Sequence, residues 1–217
     1  MNDIKILMID LDNTLYMPSV GLIEEIHRRV LAYVMQSFGL EKDVAYDKII
    51  KWSEKYGSTL QGIIQTTDLD KMDYLNYIHD IDIDKYVFPN DKLKRLLNSI
   101  NICKVLLTNT YRPFAERLLM RLNVYDCFDA IYSTEDMNYH YKNDINSLRI
   151  VIDRCIKEMH SYAYYNRVLL IDDNPESLDV AKIIGLKTML ISDSDAKESN
   201  YDFCATNIFE GIKQWKN

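Results

Sequence analysis

No stretch of this sequence approaches the ~20 consecutive apolar residues that a helix needs to cross a bilayer. The opening Met-Asn-Asp and the short apolar run after it lack a basic n-region and a small-residue cleavage site, which argues against a signal peptide. Repeats and low-complexity tracts are absent, and no long segment reads as disordered. The four cysteines, Cys103, Cys127, Cys155 and Cys204, are widely spaced with no C-x-x-C pair, so they read as free thiols of a reducing compartment. His27, His79, His140 and His160 lack metal-ligand spacing and read as structural or surface residues. The expected location is therefore the cytoplasm. An excess of basic charge is also missing. Lys and Arg number 26 against 33 Asp and Glu, a formal net charge of -7. That disfavours polymeric nucleic acid or an anionic membrane as the main partner, while leaving room for a small anionic substrate at a locally positive site.

What is present is enough apolar content, 47% of 217 residues, to bury the core of one domain, or of one domain carrying an insertion. Residues 4–9 form an almost continuous apolar run that reads as a buried strand of a parallel sheet. Ile102 to Leu107, Arg167 to Ile171 and Lys187 to Ile191 read the same way. Helical periods lie between them: Leu148, Ile152, Cys155, Ile156 and Met159 in one segment, Leu178, Ala181 and Ile184 in another. Pro175 suits a first helical position and Gly185 a C-terminal cap. This alternation predicts an α/β fold, a Rossmann-like parallel sheet flanked by helices with right-handed crossovers.

Residues 16–88 break the rhythm, with helical stretches and no convincing buried strand. Ile23, Ile26, Val30, Val34 and Phe38 share one face, with Glu24 and Arg28 as a surface pair. Further helices are expected near Ala45 to Tyr56 and Met72 to Ile78, and residues 55–59 carry the clearest turn signal. An all-helical cap over 16–88 thus interrupts a core formed by residues 1–15 and 89–217.

Ligands of open α/β sheets bind beyond the carboxyl ends of the strands. Asp10-Leu11-Asp12-Asn13-Thr14 follows the first strand, Thr108-Asn109 the second, and Asp172-Asp173-Asn174 the strand at Arg167 to Ile171. Any one of these could be a cap or turn. Together they match phosphoryl transfer through an aspartyl phosphate. A carboxylate approaches a phosphate dianion only if charge is screened, and Mg2+ with oxygen ligands does this. Asp10 is the expected nucleophile and a metal ligand. Asp172 supplies a second ligand carboxylate, with Asp173 in support. Asp12 can protonate the leaving oxygen and then activate water, and its main-chain carbonyl is placed to reach the metal. Thr108 can donate to a phosphoryl oxygen, and Lys142 is the candidate for balancing the equatorial charge.

With these residues the chain resembles the haloacid dehalogenase superfamily of phosphohydrolases. The likeness rests on Asp10-Leu-Asp12-Asn-Thr14-Leu-Tyr16, Leu107-Thr108-Asn109, Lys142 and Ile171-Asp172-Asp173-Asn-Pro-Glu-Ser. It implies a Rossmann-like core with a helical cap inserted after strand one. The dehalogenases of that superfamily lack the second Asp, so Asp12 argues for phosphate. The family usually follows its lysine with proline, whereas Asn143 follows Lys142 here. The segments 15–23 and 55–62 further resemble the pyrimidine 5'-nucleotidase branch, which implies hydrolysis of UMP, CMP or related nucleoside monophosphates. The resemblance places Leu11, Thr108, Asn109 and Lys142 around the phosphate. It places Tyr56, Gly57 and Thr59 near the substrate, with Tyr16 or Tyr56 available to stack on a base.

Three other readings compete. A phosphatase or mutase of small phosphosugars would share the catalytic set and differ in the cap. A signalling phosphoacceptor would have its acidic pair after the first strand and no large helical insertion. A catalytically silent binding module would not need Asp10, Asp12 and Asp172 intact.

Overall fold

The computed structural model describes residues 3–159, 164–192 and 200–216. His160 lies outside the described residues. The first strand, β1 (Ile6–Ile9), is wholly buried and sits in the middle of the sheet. It pairs in parallel with β2 (Cys103–Leu107) on one side and β4 (Val168–Asp172) on the other, so that Ile9 faces Leu106 and Ile171. β3 (Ala130–Tyr132), β5 (Lys187–Ile191) and β6 (Phe203–Ala205) complete the order β3-β2-β1-β4-β5-β6, with every pairing parallel. The chain leaves β1 toward β2 and later returns to its other side at β4. That reversal opens a crevice at the carboxyl ends of β1, β2 and β4.

The apolar runs are continuous because both sheet faces are covered. Leu7, Ile9, Leu106, Leu169 and Ile171 pack on one face with Leu93, Phe114, Leu118 and Ile212. These come from α5 (Asp91–Asn98), α6 (Arg112–Arg121) and α9 (Ile208–Lys216). Ile6, Met8, Val105, Leu107, Val168 and Leu170 pack on the other with Leu148, Ile152, Leu178 and Ala181. These belong to α7 (Ile145–Met159) and α8 (Pro175–Ile184). Asn174 caps α8 by accepting from the Glu176 N–H at 2.9 Å, Pro175 opens the helix, and Gly185 ends it at φ 102°. The edge strands β3 and β6 have three residues each and were not among the sequence-based strands.

Between β1 and α5 lie α1 (Leu22–Phe38), α2 (Lys42–Tyr56), α3 (Thr59–Thr66) and α4 (Lys71–His79). They share a hydrophobic cluster of their own, with Val34, Trp52, Leu60, Ile63 and Tyr74 at its centre. The turn expected at 55–59 contracts to two residues. Gly57, at φ 86°, ends α2, and the Ser58 hydroxyl caps α3 by accepting from the Gln61 N–H at 3.1 Å. Gly62 does not serve that turn. It lies inside α3, where an added Cβ would sit 2.1 Å from Trp52 Cγ, so α2 and α3 approach more closely than any side chain there permits. The expected Glu24–Arg28 pair is replaced by Glu25–Arg28, with Arg28 Nε donating to Glu25 Oε2 at 2.8 Å. Three-residue spacing competes equally on a helix surface. Among the described residues no helix is long and apolar enough to cross a membrane.

Candidate active site

Asp10 continues the ladder beyond β1, its N–H donating to the Ile171 carbonyl at 2.9 Å. The backbone then turns sharply. Asn13 adopts φ 60°, and the Leu15 N–H donates to the Leu11 carbonyl at 3.0 Å. Asn tolerates this left-handed conformation better than other residues carrying a side chain. The turn brings Asp12 to the same crevice as Asp10. Asp172, the last residue of β4, is fully buried, and its Oδ1 accepts from the Asn174 N–H at 2.9 Å. Asp173 accepts from Asn13 Nδ2 at 3.1 Å.

Lys142 reaches this group from the loop before α7. Asn109 fixes its backbone, with Oδ1 accepting from the Lys142 N–H at 2.9 Å. Its Nζ donates to Asp10 Oδ1 at 2.5 Å and to Asp172 Oδ2 at 2.6 Å, although the residue is only 2% exposed. A proline after this lysine is thus unnecessary for its placement. Asn143, in that position, donates to Glu176 Oε2 at 3.0 Å.

Carboxylate oxygens of Asp10, Asp172 and Asp173 lie within 4.8 Å of one another. Burial pushes the Asp10 carboxyl well above the ordinary carboxylate range. Lys142 pulls it back, and Asp172, Asp12 and Asp173 push it up again. Asp173 is raised by burial and by Asp172, against the hydrogen bond from Asn13. Burial works against the charge on Lys142, but Asp10 and Asp172 outweigh it and hold the ammonium above its usual pKa. Three clustered carboxylates therefore share one ammonium, which contacts two of them. Such an all-oxygen, under-neutralised donor set fits a hard divalent cation and lacks the sulfur or imidazole that zinc prefers.

A model of the haloacid dehalogenase-like hydrolases matches residues 4–185. The chain belongs to this family. Phosphate metabolism protein 8 of Saccharomyces cerevisiae is 28% identical to this family member over 136 residues, 58% of this chain and 42% of the yeast protein. The chain thus spans less than half of that relative. A HAD phosphatase from Thermococcus onnurineus superposes with a TM-score of 0.65 at 17% identity, covering 97% of both chains. A haloacid dehalogenase-like family protein from Streptococcus pneumoniae gives 0.64 at 18%, covering 99% of this chain and 100% of the other. At these identities the structural likeness concerns the fold.

In this chain Asp10, Asp12, Asn109, Lys142, Asp172 and Asp173 all line one cavity of about 1070 Å³. Its far walls come from α1 and α2, including Leu31, Ile49 and Ser53, and from Gly57, Ser58 and Thr59 at the start of α3. Several expected site residues stand elsewhere. Tyr16 does not reach the cavity wall. Its ring belongs to the core beneath β1, and its hydroxyl donates to Asp12 Oδ1. Tyr56 borders two smaller neighbouring pockets, with Lys55 Nζ 5.0 Å from its ring centroid. The Leu11 side chain is fully buried in the core, which leaves only its backbone for phosphate. Thr108 is fully buried too, its Oγ1 accepting from the Thr110 N–H at 3.0 Å. The Asp12 carboxylate lies outside the three-carboxylate group, and Tyr16 and Thr110 donate to its two oxygens.

Thr110 was missed in the sequence. It lines the cavity, and its Oγ1 donates to Asp12 Oδ2 at 2.5 Å. The only signal for it is its place two residues beyond Thr108, indistinguishable from a turn former. Burial raises the Asp12 carboxyl, while the Thr110 and Tyr16 hydrogen bonds lower it.

Proposed function

We propose that this hydrolase is a magnesium-dependent phosphomonoesterase whose nucleophile is Asp10. The Lys142 ammonium shared by Asp10 and Asp172 carries this reading, because it puts a fixed positive charge where a phosphoryl group would meet the nucleophile. In the first step an Asp10 oxygen forms a bond to phosphorus while the bond to the leaving oxygen breaks. The electron pair stays on that oxygen, which takes a proton from Asp12. In the second step the Asp12 carboxylate removes a proton from water as its oxygen bonds to phosphorus. The acyl-phosphate bond breaks and its electrons return to Asp10. Asp10, Asp172, Asp173 and the Asp12 carbonyl would hold Mg2+, which supplies charge screening for the approach of carboxylate to phosphate.

The substrate proposed is a nucleoside 5'-monophosphate, UMP or CMP first, processed in the cytoplasm. The motif likeness of 15–23 and 55–62 supports this, as does a cavity that mixes the Ser53, Ser58 and Thr59 hydroxyls with an apolar wall. In the same reading residues 16–88 act as a cap over the 1–15 and 89–217 core, and closure excludes water from the acyl phosphate.

The test is phosphate release from UMP, CMP, AMP, GMP and several sugar phosphates, with and without EDTA, beside Asp10→Asn. Magnesium-dependent release favouring UMP and CMP, lost in the variant, is the expected result. Preference for sugar phosphates would overturn the nucleotide assignment alone. Undiminished release by Asp10→Asn would overturn the mechanism.

A further inference from the structure

Asp12 is gripped at both oxygens. The Tyr16 hydroxyl donates to Oδ1 and Thr110 Oγ1 to Oδ2, the latter at 2.5 Å. The two donors come from unrelated parts of the chain. Tyr16 lies four residues along the same loop, with its ring anchored in the main core at 8% exposure. Thr110 lies 98 residues away, beyond β2. Its own backbone is fixed by two contacts: its N–H donates to Thr108 Oγ1 at 3.0 Å, and its carbonyl accepts from the Thr134 N–H at 3.4 Å. Thr108, fully buried, thus supports Thr110 and makes no wall of the cavity.

A free Asp side chain on a turn samples several rotamers. Two anchored hydroxyls converging on one carboxyl select a single orientation, the one that presents Asp12 to the cavity. A carboxylate offers about four lone-pair positions. Two are occupied here, so a position remains for the proton that is delivered. We infer that Tyr16 and Thr110 are positioning residues, which aim Asp12 at the leaving oxygen of the substrate. This rests on the reading of Asp12 as the general acid. In that step the proton moves from the Asp12 carboxyl to the leaving oxygen as its bond to phosphorus breaks. Neither hydroxyl gains or loses a proton in it.

The role has a chemical signature. A poor leaving group needs the proton, whereas a highly acidic phenol departs without it. The ratio kcat/KM covers events only up to release of the leaving group, so the later work of Asp12 on water does not enter. The experiment measures kcat/KM for phenyl phosphate and for 2,4-dinitrophenyl phosphate with saturating Mg2+. The variants are Tyr16→Phe, Thr110→Val, Thr110→Ser and Asp12→Asn. General acid assistance contributes about 10²–10⁴-fold. Asp12→Asn is expected to lower the phenyl phosphate value by at least about 100-fold more than the dinitrophenyl value. Thr110→Val and Tyr16→Phe are expected to show the same selectivity at about tenfold or more, because a displaced group loses part of its contribution. Thr110→Ser, which keeps the hydroxyl, should recover most of it.

Equal losses on both substrates for Thr110→Val and Tyr16→Phe, with Asp12→Asn selective, would overturn the positioning role and leave the acid in place. Failure of Thr110→Ser to recover selectivity would overturn it for Thr110. An Asp12→Asn variant that is itself unselective would overturn the reading of Asp12 as acid, and the inference with it.

Discussion

Replacing Lys142 by Met tests the electrostatics of the site through stability alone. Met keeps most of the volume of the buried stem, so packing changes little. The ammonium, however, is removed from two carboxylates that it contacts at 2.5 and 2.6 Å, with Asp10 4% exposed and Asp172 fully buried. Removing one partner of a buried ion pair costs about 3–5 kcal/mol. With a urea slope of about 2 kcal/mol/M, the midpoint at pH 8 should fall by roughly 1.5–2.5 M. The sign of the pH response follows from Asp10. Its carboxyl lies above its unfolded value even with Lys142 present, because of burial, and removing the ammonium raises it further. Over that window the folded state binds more protons than the unfolded chain, so stability grows as pH falls and is lost as pH rises through the folded pKa. The variant should therefore regain about 1–3 kcal/mol between pH 8 and pH 5.5, measured in EDTA so that no cation substitutes for the lost charge. A midpoint within about 0.3 M of the parent at pH 8, or a deficit independent of pH, would refute the argument that Lys142 neutralises Asp10 and Asp172.

Gly62→Ala places a methyl against Trp52, forcing α2 and α3 apart, and should cost about 1–3 kcal/mol, or roughly 2–12 °C in Tm. An unchanged thermal melt would contradict the tight crossing. His79 is buried between Tyr111 and Phe114, and its Nδ1 lies 2.9 Å from the Leu75 carbonyl. Burial lowers its pKa from 6.5 to about 4, against that hydrogen bond, with Arg117 and Arg29 adding to the drop. Its contribution is complete above pH 6.5 and declines as pH falls toward 4, because the unfolded chain takes up the proton first. Urea midpoints of His79→Gln should therefore lose this acid sensitivity, worth about 2–3 kcal/mol near pH 4.5, and parallel pH profiles would contradict it.

How much was legible in the sequence follows from how each element is stabilised. β1, β2, β4 and β5 are long enough, and buried enough on both faces, to leave continuous apolar runs. α8 was readable because Asn174, Pro175 and Gly185 mark its ends. β3 and β6, with three residues each at the sheet edges, fall below any periodic signal. α3 was hidden because eight residues containing Gly62 make a poor helix by propensity, and its reason for forming is contact with Trp52. At the site, Asp10, Asp12, Lys142, Asp172 and Asp173 all reach one cavity because each sits at or just beyond a strand end or a loop pinned there. Thr110 was invisible, since a threonine after a strand looks the same whether it caps a turn or holds a carboxylate. Tyr16 pointed the wrong way for a similar reason: its ring direction is set by the core beneath β1.

The central place of β1 also dictates an order of events during synthesis. Its two hydrogen-bonding neighbours begin at Cys103 and Val168, so β1 leaves the ribosome long before either exists. At about 5–20 residues per second, the first partner follows roughly 5–20 s later. The four helices in between emerge during that wait and can close over their own cluster of Val34, Trp52, Leu60 and Ile63. Such local contacts form quickly, whereas pairing across ~100 residues pays a loop-closure cost first. Until Cys103 emerges, β1 is an unpaired, wholly apolar strand beside helices able to close over their own cluster. That strand is the segment for which chaperone binding during translation should be sought.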